Sequence, residues 1–127
     1  MKIAIQGNPT RGKEIIEILK SLGGKNRKRL TGRKFSQYYF INYIGDIDVT
    51  IKFNLFNYKL YTLEEFEKEF PFKVGDKVII VGLPDFPKII TKMMWDCDEI
   101  LYSFEGLNNT WFGVKSLKSL KWKKKEI

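Results

Sequence analysis

The stretch "KIAIQGNPTRGKEIIEILKSLGG", Lys2 to Gly24, decides how the first half of the chain is read. "KIAIQ" is a short apolar run stopped by Gly7, Asn8 and Pro9, the mark of a buried strand. Beyond it Ile15, Ile18, Leu19 and Leu22 recur at i, i+3, i+4 and i+7, with Ile16 widening the stripe, so the spacing predicts an amphipathic helix. Asn8 or Thr10 can cap its start and Gly23 its end. The order is strand, turn, helix, and the turn poses the first question about function.

That turn, "GNPTRGKE", resembles a phosphate-binding P-loop in its spacing, with Gly7 followed by Gly12 and Lys13. Glu14 stands where the motif needs a Mg²⁺-binding Ser or Thr, and no later apolar strand ends in the expected Asp. About 60 residues also cannot build the parallel sheet of an NTPase. An anion site survives these objections. A helix N-terminus offers unpaired N–H groups and about half a positive charge, and Gly7, Asn8, Thr10, Arg11, Gly12 and Lys13 surround it. Gly12 in the first turn weakens the helix by about 1 kcal/mol relative to Ala. Arg11 and Lys13 oppose the helix dipole there, and a local conflict of this kind is expected at functional sites.

The chain has 127 residues, 43% hydrophobic and 15% aromatic, enough for one ordinary domain or two very small ones with a real core. No apolar run approaches the roughly 18 residues that cross a bilayer, no signal peptide is visible, and no membrane partner is expected. The single Cys97 rules out an internal disulfide framework and fits the cytoplasm. Of the net charge of +8, Lys25 to Lys34 ("KNRKRLTGRK") carries +6 and Lys115 to Ile127 ("KSLKSLKWKKKEI") carries +5, leaving −3 for the rest. Two basic patches on a mildly acidic body are the footprint of an anionic partner.

After the basic segment, "YYFINY" and "DIDVTIKFNLF" alternate around Gly45-Asp46, which predicts a hairpin with Val49, Ile51, Phe53 and Leu55 on one face. "YTLEEFEKEFP" reads as a short connector helix. Thr62 and Glu65 form its capping box, Tyr61 staples to Phe66, Pro71 stops it, and Glu64, Glu67 and Lys68 make a solvated face. From Phe72 the pattern turns to short strands: "KVGDKVIIVG", "KIITKMMW", "EILYSFE" and "TWFGV". The expected fold class is α+β. A small N-terminal α/β unit (strand–helix–β-hairpin, residues 1–60) and a connector helix (61–71) precede a barrel with a basic tail (72–127).

Three resemblances bear on this division. "FKVGDKVII", a Trp closing the second strand and "WFGVKSL" look like an SH3-like or Tudor-like barrel. The strand ending in Gly, the helix closing on "LGG" and the strand "YYFI" look like the first half of a BRCT domain. That likeness implies phosphate recognition by the loop at Gly7 to Arg11, while the later helix with its buried Trp is missing. The whole chain, from "IAIQGNPTRGKEIIEILKSLGG" to its barrel-like end, resembles small uncharacterised phage and prophage proteins, which implies residence in a host cytoplasm.

Catalytic chemistry finds little footing. There is no His, and Cys97 sits between Asp96 and Asp98, which suppress thiolate formation. The "DCDE" turn supplies too few convergent oxygens for a metal, so neither metal nor cofactor is expected and the chain reads as a non-enzyme. The leading expectation is capture of a phosphorylated nucleotide by the Gly7–Lys13 loop and by Arg27, Lys28, Arg29 and Arg33, with Tyr39 stacking on the base. With the phage resemblance this implies sequestration of a host immune signalling nucleotide. The alternative is nucleic-acid binding by the barrel, through Trp111, Trp122, Lys121, Lys123 and Lys124. A protein-interaction adaptor is the third reading, and the sequence leaves room for a homo-oligomer.

Overall fold

The computed structural model describes residues 2–80, 83–96, 98–106, 110–113 and 122–124; of residues 79, 80, 83–87 and 122–124 only the backbone is described. The protein is mixed α+β and divides into two compact units, Met1–Pro71 and Phe72–Ile127. Among the described residues, no helix is long and apolar enough to cross a membrane.

In the first unit, strand β1 (Lys2–Gln6) leads through the turn into helix α1 (Gly12–Ser21). The stripe read from the sequence is the buried face of α1: Ile15, Ile16, Ile18 and Leu19 all lie within the core. Neither Asn8 nor Thr10 caps the helix, whose N-cap position is Arg11 without a side-chain cap. Asn8 closes the preceding turn, its Oδ1 accepting from the N–H groups of Thr10 and Arg11 at 3.0 and 2.9 Å. Strands β2 (Tyr38–Ile41) and β3 (Ile47–Thr50) form the expected antiparallel hairpin around Asn42–Asp46.

The alternating stretch that follows does not continue as strand. The chain turns through a 3-10 segment, Lys52–Asn54, so Ile51 and Phe53 are exposed while Leu55 is buried. A strand missing from the sequence reading, β4 (Tyr58–Tyr61), then pairs parallel to β1 and completes the sheet in the order β3-β2-β1-β4.

Helix α2 (Leu63–Glu69) has the expected capping box between Thr62 and Glu65, which holds the Glu65 carboxyl below its usual range through the Thr62 N–H. The Tyr61 ring meets Phe66 edge-on, with centroids 5.7 Å apart. The helix belongs to the first unit, where it packs on β1 and β4.

The second unit is a curled five-stranded antiparallel sheet in the order β8-β7-β6-β5-β9. Its strands are β5 (Lys77–Ile80), β6 (Leu83–Asp96), β7 (Glu99–Phe104), β8 (Phe112–Gly113) and β9 (Trp122–Lys124). The long β6 pairs with β5 along its first part and with β7 along its second, with a register shift in each ladder. The Gly75-Asp76 signal is a turn in which the Asp76 carboxylate accepts the Lys73 N–H at 2.9 Å. Tyr102 is fully buried, and its hydroxyl donates to the Phe72 carbonyl at 3.0 Å; burial raises its pKa.

One contact in the first unit admits no side chain. A Cβ on Gly32 (φ +75°) would overlap the Gly12 carbonyl, and one on Gly7 would overlap the Lys34 carbonyl. Gly23 (φ +99°) faces open space instead. Gly23→Ala is expected to cost about 1–2 kcal/mol, the left-handed backbone alone. Gly32→Ala should cost clearly more in urea unfolding, because Ala adds a backbone clash to the same strain. Equal losses would show that the contact yields easily.

Candidate functional site

The Gly7–Glu14 turn is filled by the chain itself. The Gly7 and Asn8 N–H groups donate to the carbonyls of Gln37 and Gly32, both at 2.9 Å. The Thr10 and Arg11 N–H groups donate to the Asn8 side chain, as does the Thr10 hydroxyl at 3.0 Å. Four of the N–H groups that a phosphate would need are thus taken by internal acceptors. The spacing of Gly7 and Gly12 follows from the close approach of the 31–37 segment.

Arg11 is likewise committed. Its guanidinium forms a fork on Glu14 (2.6 and 3.0 Å) and reaches Glu67 of α2 at 2.7 Å. The hydrogen bonds to Glu14 and then Glu67 raise its pKa further above its ordinary value. Asn8 contacts Glu64 of the same helix at 3.4 Å. The acidic face of α2 is therefore the partner of the turn rather than a merely solvated surface.

The basic segment is anchored along the edge strand β3. Lys25 exchanges backbone hydrogen bonds with Gly45 and Ile47 at 2.9 Å. Arg27 pairs with the buried Asp46 at 3.2 Å and Lys28 with Asp48 at 2.9 Å. Asn26 braces the loop through both ends of its amide, to the Leu30 N–H and carbonyl. Arg29, exposed at φ +53°, sits in the turn this creates.

Between α1 and this segment lies an open cleft of about 400 Å³, lined by Lys13, Lys20 and Arg33 with Asn26 and Thr31, over an apolar floor of Ile16 and Leu30. Glu17 also lines it, 3.6 Å from Lys20 in an exposed pair. Neither Lys13 nor Arg33 has a carboxylate at ion-pair distance among the described residues. Of the ligand residues read from the sequence, the cleft unites Lys13 and Arg33. Lys20 went unread, although it lies two turns beyond Lys13 on the same helical face.

Tyr39 does not face a ligand. It is a core residue, 1% exposed, whose hydroxyl accepts the Lys34 N–H at 3.2 Å. The half-buried tyrosine of the pair is Tyr38. In the second unit Trp111 is half-buried. Trp122, Lys123 and Lys124 form β9 in backbone, paired with β5, while Lys121, Cys97 and the side chains of β9 lie outside the described residues. Among the described residues, no group of His, Cys, Asp and Glu could hold a metal ion.

The fold and cleft define a two-unit α+β protein with a basic, apolar-floored cleft beside the first helix. No protein-family model, no curated protein and no solved structure matches the chain.

Two outcomes follow from these ion pairs. Arg11→Met should lower stability by about 1 kcal/mol, a modest figure because the cluster is partly exposed and screened; urea unfolding reads it. Asp48 has its carboxyl pKa held below the ordinary 3.8, first by the hydrogen bond from Lys28. Its contribution is whole above that value and is lost as pH falls through the lower folded value. Thermal melts between about pH 6 and pH 2 should show a flatter acid limb for Asp48→Asn than for the unaltered chain. An identical limb would mean the pair adds nothing.

Proposed function

We propose that the chain binds a phosphorylated nucleotide in the cleft between α1 and the basic segment, and binds it without turnover. The observation that carries this reading is the convergence of Lys13, Lys20 and Arg33 on one cleft with an apolar floor. Two long cations with no carboxylate partner among the described residues suit phosphate oxygens, and Arg33 suits them bidentately. Ile16 and Leu30 offer the flat apolar contact a base or sugar needs, while Asn26 and Thr31 add polar groups. The absence of His from the chain supports binding over catalysis. Sequestration of a signalling nucleotide is the use that the phage resemblance implies.

We also read the second unit as an SH3-like barrel. A meander whose long second strand is shared between two ladders, with the last strand returning to the first, supports that reading.

Calorimetric titration with nucleoside mono-, di- and triphosphates and cyclic dinucleotides tests the site. One class should bind with no product formed, and its unphosphorylated nucleoside should not bind. Lys13→Ala combined with Arg33→Ala should weaken binding about 100-fold, the loss of two charged hydrogen-bonding groups. Arg11→Ala should leave affinity within about twofold, since its partners are internal. Affinity unchanged in the double variant would sink the assignment.

A further inference from the structure

Among the described residues, helices pack on one face only of the four-stranded sheet. Register places Ile5, Tyr39, Val49 and Tyr61 together on one face, and the Tyr61 ring touches Phe66 and Phe70 of α2 there. On the same face the Gly24 backbone, just past α1, packs against the side chains of Ile41 and Ile47. Strand alternation puts Lys2, Ala4, Gln6, Tyr38, Phe40 and Tyr58 on the other face.

What crosses that second face is the segment 51–57. It joins β3 to β4, the two opposite edges of the sheet, so it must pass over β2 and β1 on the side the helices leave open. Leu55 anchors it at 2% exposure, while Phe53 and Phe56 stand 88% and 86% exposed. The segment is tightly built. The N–H groups of Asn54, Leu55 and Tyr58 donate to the carbonyls of Ile51, Lys52 and Leu55 at 3.0–3.1 Å, and the Asn54 amide donates to the Thr50 hydroxyl at 2.9 Å. The two rings are thus held out by an ordered backbone.

Two half-buried rings and one exposed ring lie nearby. Phe40 and Tyr58 meet edge-on at 5.4 Å, on the two strands that flank β1, where Ala4 is small enough to let them meet. At the rim Phe35 is 63% exposed, and its carbonyl accepts a hydrogen bond from Gln6 of this face at 2.8 Å.

The charges choose the occupant: Asp48, the register partner of Phe40 on this face, is held by Lys28 at 2.9 Å, and three lysines stand near the rings. Lys2 is the register partner of Tyr58, Lys34 precedes Phe35, and Lys52 precedes Phe53. None of the three has a carboxylate at ion-pair distance among the described residues. Exposed rings interspersed with these lysines match a chain that alternates flat bases with phosphates. A bilayer or an apolar protein surface would favour one contiguous apolar patch instead.

We propose that the 51–57 segment and the rings beside it form a stacking platform for single-stranded nucleic acid, separate from the cleft beside α1. Fluorescence anisotropy of the full chain with labelled oligo-U, oligo-dT and a duplex of equal length tests it. Both single strands should bind more tightly than the duplex, with affinity falling as salt rises. Phe53→Ala with Phe56→Ala should weaken single-strand binding about 100-fold, about tenfold per ring. Both rings are exposed, so an unchanged thermal midpoint is expected to accompany that loss. Tyr58→Leu, which keeps apolar bulk, should also weaken binding.

Lys13→Ala with Arg33→Ala should leave oligonucleotide affinity within about threefold, which separates this site from the cleft. The proposal is overturned by no binding at low salt, by equal affinity for duplex, by insensitivity to the Phe substitutions, or by loss in the cleft variant. It is equally overturned if the Phe pair instead governs vesicle binding or self-association while oligonucleotides are ignored.

Discussion

The first unit depends on a backbone-to-backbone contact between the 7–12 turn and the 31–37 segment. Gly12 and Gly32 touch through main-chain atoms, and Gly7 lies against Lys34 in the same way. Hydrogen bonds from Gly7 and Asn8 to Gln37 and Gly32 lock the two stretches together. Because no side chain intervenes, the segment is drawn close beside the start of α1. Its earlier part is held beside the start of β3 by the Lys25 bridge and by the Arg27–Asp46 and Lys28–Asp48 pairs. The cleft is the space left between this tethered segment and the outer surface of α1.

That tether also decides which charges are available. Six basic residues in ten look from the sequence like one cationic patch. Arg27 and Lys28 spend their charge on Asp46 and Asp48. Exposed ion pairs contribute only about 0–1 kcal/mol, but the Asp46 side chain is 9% exposed, and a carboxylate so placed is costly without a cation. Of the other four, Arg33 is the one that the segment brings to the wall that Lys13 and Lys20 supply from α1. Net charge therefore overstated the patch, while the three cations at the cleft come from two places in the chain.

Local signals carried much of the fold. The strand, the apolar stripe of α1, the hairpin turn and the capping box of α2 each rest on residues within a few positions of one another, and each was legible. The stretch from Val49 to Leu55 was not, for a physical reason. Val49, Ile51, Phe53 and Leu55 keep the strand period of two. Yet the strand ends at Thr50, and Ile51 and Phe53 stand exposed in the turn that follows, so apolar alternation alone could not mark the end of the strand. Strand β4 was hidden for a related reason, since its partner β1 lies more than 50 residues earlier in the chain. At the site, Lys13 and Arg33 were readable as cations near a helix start. The engagement of Arg11 was not, because Glu67 reaches it from 56 residues away.

Arg11 also shows when a local conflict is informative. A cation at the positive end of a helix is unfavourable by itself, and on the sequence alone it pointed to an anionic ligand. The fold resolves the conflict internally, with Glu14 one turn on and Glu67 from α2 placed around the guanidinium. Nothing is left for a ligand to compensate. The same test applied to Phe53 and Phe56 gives the opposite result. Two large rings in water are a conflict of equal weight, yet an ordered hydrogen-bonded backbone holds them out and neither is folded back onto the sheet. A local conflict satisfied within the fold explains the fold, and one that the fold builds and leaves open directs attention outward, to what the surface meets.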